Sequence, residues 1–225
     1  MNKPSFSSFI EEVLQMPYYK NFAAASGAVH NICKHEDAVL DVLERHGFRD
    51  SSLPPRKGSA SPISLGDRDL ALDDETNLLG IPNNSYVSQP CGTHASPDFI
   101  VNHDGRLFFL ECKSSQQTYP TFNSGLPCES YIYIFASKKT NETTVFMGDD
   151  IVDSEQREII EEGRAYIEQV LTETNRRLKL ADSRNRGIDY YSRAMFTQKG
   201  GAPKSNYFKH ANRGACEERV MKYVS

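Results

Sequence analysis

The chain has 225 residues, 38% of them hydrophobic and 25% charged, with five scattered cysteines and a net charge of −4. That length and balance fit one globular domain with a real core, and exclude a disulfide-stapled miniprotein and a low-complexity chain. No apolar run approaches the roughly 18 residues needed to cross a bilayer, the first residues lack a signal-type apolar core, and the odd cysteine count without a CxxC pair fits a reducing cytoplasm.

Phe6, Phe9, Ile10, Val13 and Leu14 recur at helical spacing behind a serine and stop before Pro17, which predicts a first helix. A second is expected from Gly27 to His46, with Gly47 just past its end. Its apolar stripe reads Val29, Ile32, Cys33, Val39, Leu40 and Leu43, and Glu36 falls on it. A carboxylate there either reaches water at the edge of the stripe or is turned inward toward a partner, because an unpaired buried charge is costly. Residues 50–89 are rich in Ser, Pro, Gly and Asp and show no sustained periodicity. Pro54-Pro55-Arg56-Lys57-Gly58 reads as an exposed loop.

Ser96-Pro97-Asp98-Phe99 begins the most informative stretch. Two apolar runs, Phe99-Ile100-Val101 and Leu107-Phe108-Phe109-Leu110, flank Asp104-Gly105, the dipeptide suited to a two-residue turn with positive φ at both positions. That turn pairs His103 with Arg106, Val101 with Phe108 and Phe99 with Leu110, and would set Asp98 opposite Glu111. Directly opposed side chains lie about 4.5–5.5 Å apart at Cβ, so two facing carboxylates repel unless a cation lies between them. Lys113, two residues beyond Glu111, shares its face of the strand. The plainer alternative is a surface hairpin with a Glu-x-Lys ion pair.

Residues 114–130 are polar and broken by Pro120, Gly125 and Pro127. Tyr131 to Phe135 reads as a strand buried on both faces, with Thr143 to Met147 its neighbour across a turn at 138–142. Asp153 opens a long helix with Gln156 in the capping-box position, an apolar face of Ile159, Ile160, Tyr166, Ile167, Val170, Leu171 and Leu178, and an end near Ala181. Residues 184–225 carry nine Lys and Arg against three acids, interleaved with Tyr190, Tyr191, Phe196, Tyr207 and Phe208. Such a segment suits a phosphate backbone; a solvated basic face is the alternative. Cys91-Gly92-Thr93-His94 is half a zinc spacing without a second half, Lys199-Gly200-Gly201 lacks P-loop spacing, and His30, His35 and His46 form no cluster.

Two carboxylates and an amine suit a hard cation such as Mg²⁺, which keeps several waters and leaves room for a phosphate oxygen. The main-chain carbonyl of Cys112 adds a further oxygen between the two side chains. Pro97-Asp98, a twelve-residue gap and Glu111-Cys112-Lys113 resemble the PD-(D/E)xK nuclease motif, seen especially in type II restriction endonucleases. The resemblance implies an α/β fold with an αβββαβ core, a mixed central sheet flanked by helices. It also implies Asp98 and Glu111 as metal ligands, Lys113 as the water-positioning catalytic residue, and Glu36 as the additional glutamate many members take from the helix before the sheet. Mg²⁺, with Mn²⁺ able to substitute, would serve hydrolysis of double-stranded DNA to 5′-phosphate and 3′-hydroxyl ends, in a bacterial cytoplasm and by a homodimer. The helix such a core places after the ExK strand is not visible in residues 114–130. It is either remodelled or replaced by the long helix after Asp153. On this reading residues 1–183 form the nuclease domain and 184–225 its basic DNA-contacting segment. Base and backbone contacts are expected from Arg56, Lys57, Gln116, Gln117, Asn123, Arg184, Arg186, Asn206 and Arg213, since Arg and Asn can bond two base-edge atoms at once. A structure-specific repair or recombination nuclease of the same superfamily, or a DNA-binding module with a decayed site, are the alternatives.

Overall fold

A computed structural model describes residues 4–25, 27, 32–73, 77–122, 125–192 and 206–225. The order is α1 (Phe6–Leu14), α2 (Tyr19–Ala25), α3 (His35–Arg45), β1 (Arg49–Asp50), α4 (Leu65–Asp73), β2 (Ser85–Ser88), β3 (Phe99–His103), β4 (Arg106–Ser115), β5 (Ile132–Ser137), β6 (Glu142–Met147), a 3₁₀ turn (Gly148–Asp150), α5 (Ser154–Ala181) and α6 (Arg213–Val224). The strands form one six-stranded mixed sheet in chain order. β1 with β2 and β4 with β5 run parallel, and the other neighbours are antiparallel. The protein is thus α/β, with helices against a mixed sheet. No helix among the described residues is long and apolar enough to cross a membrane.

The hairpin folds as its turn chemistry dictates. Asp104 and Gly105 both take positive φ, 49° and 85°, and β3 meets β4 in the register His103↔Arg106 to Phe99↔Leu110. Alternation along the strands divides the core between the two faces of the sheet. Val101, Phe108, Leu110 and Ile134 pack with Phe6, Phe9 and Ile10 of α1, Val39, Val42 and Leu43 of α3, and Val220 and Val224 of α6. On the other face Ile100, Leu107, Phe109, Tyr133 and Phe135 pack with Ile63, Ile81, Phe122, Tyr207 and Phe208. Glu111 and Lys113, at even spacing from Leu107 and Phe109, share that second face.

Several expectations need correcting. The helix expected from Gly27 to His46 begins at His35, as α3, and is preceded by α2, an unexpected helix. The Asp37 carboxylate accepts the Cys33 and Lys34 amide N–H groups at 2.9 and 2.8 Å, satisfying donors at the helix start. Val29 of the expected stripe lies outside the described residues, and Cys33 is exposed. Instead, α3 buries His35, Ala38, Val39, Asp41, Val42 and Leu43. His35 Nε2–H donates to the Ile134 carbonyl at 3.2 Å, and burial lowers the pKa of the ring to about 4. The unassigned stretch 50–89 supplies α4 and β2.

Among the described residues between β4 and β5 there is no helix. The helix after Asp153 does not replace one in the core. α5 has the expected capping box, with Asp153 Oδ1 accepting from Gln156 N at 2.8 Å, but none of its 28 residues is buried.

Candidate active site

The site forms where β3 begins and β4 runs on past it. The ladder stops at Phe99↔Leu110, so Asp98 does not oppose Glu111 as a regular register would have it. The Asp98 N–H instead reaches the Leu110 carbonyl at 3.0 Å, so two residues at the start of β3 meet one of β4, as at a β-bulge. The Asp98 side chain then takes the place of the missing backbone: Oδ2 accepts the Cys112 N–H at 2.7 Å. In an extended strand the N–H and C=O of one residue point the same way. The Cys112 carbonyl therefore also points to the side of β4 where Asp98 lies.

Gln89, beyond the end of β2, fixes the other oxygen: its Nε2 donates to Asp98 Oδ1 at 3.0 Å, while its N–H donates to the Asp98 carbonyl at 2.8 Å. Gln89 holds a positive φ of 46°, a conformation in which few non-glycine residues rest. Sequence reasoning missed Gln89 because its role depends on β2 lying beside β3, and no local pattern reports that pairing. Arg68 of α4, also missed, donates to the Ser96 carbonyl at 2.8 Å and holds the segment leading into Asp98.

Glu111 is buried, and the Lys113 ammonium lies 2.5 Å from its Oε1. Its Oε2 is buried with no hydrogen-bond partner. Burial pushes the Glu111 carboxyl from 4.5 up to about 7; Lys113 opposes the rise, and the charge of Asp98, with a smaller contribution from Glu36, adds to it. Asp98 is raised by burial against the pull of the Cys112 N–H, Gln89 and Lys113, and Glu36 by burial with a contribution from Asp98. Glu36, half-buried in the first turn of α3, is thus within electrostatic reach of both other carboxyls. Among the described residues, however, no three His, Cys, Asp or Glu side chains are grouped to hold a metal by themselves. The donors that do fit a hard cation are carboxylate oxygens of Asp98 and Glu111 and the Cys112 carbonyl. The orphaned Oε2 of Glu111 and the concentration of unfavourable negative charge are features that a cation would relieve. The Cys112 thiol is buried and held protonated, first by burial and then by the surrounding carboxylates.

The residues expected to touch DNA stand in differing surroundings. Arg56, Lys57, Gln116 and Gln117 are exposed, the first pair in the 51–60 loop and the second just past β4. Arg184 and Arg186 are exposed beyond α5, and Asn123 lies outside the described residues. Asn206 is a local cap, its Oδ1 accepting the Phe208 and Lys209 amides at 3.1 Å. Arg213 is engaged by Glu142 at 2.7 Å and Glu217 at 2.8 Å, and Arg219 by Asp149 and Asp150. Tyr207 and Phe208 are buried against Phe135. The C-terminal part of the basic segment therefore spends its described aromatics on the core and two of its arginines on ion pairs. Arg193, Phe196, Lys199 and Lys204 lie outside the described residues.

Comparison of the chain with family models, curated proteins and solved structures gives no match.

Proposed function

We propose that the protein is a Mg²⁺-dependent endonuclease that hydrolyses double-stranded DNA, with the restriction-endonuclease-like core and type II site-specific action that its Asp98, Glu111-Cys112-Lys113 pattern resembles. The observation that carries this reading is the buried Glu111. It is paired with Lys113 on one oxygen, orphaned on the other, and lies beside an Asp98 fixed by Gln89 and the Cys112 amide. A bound Mg²⁺ or Mn²⁺ would supply polarisation of the scissile phosphate and stabilisation of the leaving oxygen. Asp98 and Glu111 would hold it, together with the Cys112 carbonyl, and Glu36 would add negative charge at the rim. Lys113 is half-buried, with its Nζ on the Glu111 carboxylate. From there it orients the attacking water, and its positive charge stabilises the negative charge that builds on the phosphate. Two copies, each presenting one such site, would cut the two strands of a symmetric target.

The test is cleavage of phage DNA with Mg²⁺ or Mn²⁺ by the wild type and by Lys113→Ala and Glu111→Ala. The wild type should give discrete fragments. Both variants should bind and lose at least about 10²-fold in rate, Lys113→Ala because a preorganised charge facing the transition state is gone and Glu111→Ala because a holder of the metal is gone. Near-wild-type cleavage by Lys113→Ala would remove its catalytic role. An uncut substrate with either metal would refute the nuclease reading, and cleavage confined to junctions, flaps or mismatches would move the protein from restriction to repair.

A further inference from the structure

We propose, resting on the nuclease reading for the choice of partner, that Lys20, Lys34, Lys138 and Lys139 form a surface beside the candidate site that holds the phosphate backbone of duplex DNA. Strand direction brings these lysines together. β4 and β5 are parallel, with Lys113 paired to Phe135 and Ser115 to Ser137, so both strands end on the side where the site lies. β6 returns antiparallel from Glu142, opposite Ser137, and the turn carrying Lys138 and Lys139 therefore stands at that same end. The Lys138 N–H donates to the Ser115 carbonyl at 2.9 Å. Ser115 is the second residue past Lys113, about 7 Å further along the strand.

Two helices complete the group. Asn141, in the same turn, accepts at Oδ1 from the Tyr18 N–H at 3.1 Å and from the Asn21 side chain at 2.7 Å. These bonds tie the first turn of α2, with Lys20, to the lysine turn. His35 anchors the start of α3 through the carbonyl of Ile134, the partner of Cys112 in the β4–β5 ladder, and so brings Lys34 to the site's end of β4. Burial raises the Asp98 and Glu36 carboxyls, and the charge of Lys34 is among those that oppose the rise, which fits an ammonium close to both.

Charge selects the occupant. All four lysines are exposed, and none forms an ion pair among the described residues, whereas Arg213 and Arg219 are held by carboxylates. The chain is anionic overall, and Asp98, Glu111 and Glu36 concentrate negative charge at the site itself. A polyanion reaches such a site only where unspent cations beside it offset that charge. Of the other acids at this end, Glu142 is engaged by Arg213, and Asp37 by the Cys33 and Lys34 amides. An ammonium on a flexible stem takes a phosphate oxygen as a point charge and reads no base edge. The grip is therefore blind to sequence and leaves the reading of bases to other groups.

Fluorescence anisotropy of a labelled duplex of about 30 base pairs with the full chain, in EDTA and across a salt series, tests the surface without any strand being cut. Each phosphate contact contributes about 0.9 to the fall of log K with log salt. K138A/K139A should therefore weaken binding about 10-fold or more at about 100 mM salt and flatten the slope by about 2, equally for two unrelated sequences. Lys34→Ala and Lys20→Ala should each flatten it by about 1, and K138R/K139R should bind as the wild type does. K179A/K222A removes the same charge from α5 and from the end of α6, where the Tyr223 carbonyl meets Arg106 at the far end of β4, and should leave the slope unchanged. Lysine-dependent binding without cleavage in Mg²⁺ upholds this surface and removes the nuclease reading. Cleavage by the wild type, with K138A/K139A binding at wild-type affinity and slope, overturns this surface alone. So does a wild type that leaves the duplex unbound up to about 100 µM, a loss in K179A/K222A equal to that in K138A/K139A, or poly-glutamate bound as tightly as the duplex.

Discussion

Replacing Glu111 by Gln should stabilise the metal-free protein while abolishing cleavage. Between pH 4.5 and about 7 the folded state keeps a proton on Glu111 that the unfolded chain releases. Stability therefore falls as pH rises through that window and levels off above it. At about 1.4 kcal/mol per tenfold change in proton affinity, a carboxyl raised this far costs roughly 3 kcal/mol above pH 7. The amide removes that cost but also deprives Lys113 of its partner, so a net gain of roughly 1–2 kcal/mol is expected, or about 3–6 °C in Tm for a chain of this size. The assay is thermal unfolding at pH 8 in EDTA, wild type against Glu111→Gln, repeated at pH 4.5, where the two should converge. Adding Mg²⁺ should then raise the wild-type Tm, as any ligand that binds only the folded state does, and leave Glu111→Gln nearly unmoved. A variant less stable than wild type at pH 8 in EDTA, or a Mg²⁺ shift equal in both proteins, would refute the reasoning.

Gly148→Ala should cost about 3 kcal/mol, seen as a Tm lower by about 6–12 °C, because its Cβ would stand 1.9 Å from the Cys128 carbonyl oxygen and only backbone movement relieves that overlap. Gly214→Ala, exposed in α6 with open space around its built Cβ, should instead gain up to about 1 kcal/mol in the same measurement. Arg106→Ala should cost about 1–3 kcal/mol and speed amide exchange in α6. Its guanidinium lies 4.2 Å from the Tyr223 ring centroid and 5.1 Å from that of Phe108, and it donates to the Tyr223 carbonyl at 2.7 Å. Arg106→Lys should recover only part of the loss, since an ammonium lacks the planar fork.

What could be read from the sequence was what local chemistry decides. Asp104-Gly105 imposes positive φ at two successive residues, and with the flanking alternation this determines the register of β3 and β4 and the shared face of Glu111 and Lys113. Asp153 and Gln156 likewise determine where α5 begins. What stayed hidden depends on groups distant in the chain. The bulge at Asp98 arises because a carboxylate can replace a backbone acceptor, which alternation cannot foresee. Gln89 matters only once β2 is placed beside β3. The short, polar-ended Ser85–Ser88 has too few residues for a periodic signal, and α4 buries only Ala71, so its stripe is faint. Arg213 and Arg219 look like a DNA grip until Glu142, Asp149 and Asp150 come into place around them. Periodicity told which face of α5 is apolar; it carries no word on what lies against it.

β4 is an interior strand, antiparallel to β3 on one side and parallel to β5 on the other. Up to Leu110 it is flanked on both sides, but at Glu111 and Lys113 the β3 ladder has ended and only β5 and the Asp98 carboxylate, on the Cys112 N–H, remain beside it, so this end of β4 opens before the centre of the sheet. Many enzymes lose activity on heating before they lose their fold, because a loop carrying the chemistry loosens first. Here the candidate residues sit not on a loop but at the end of a strand that has lost one neighbour, so on the proposed reading heat inactivation should precede global melting by only a small interval.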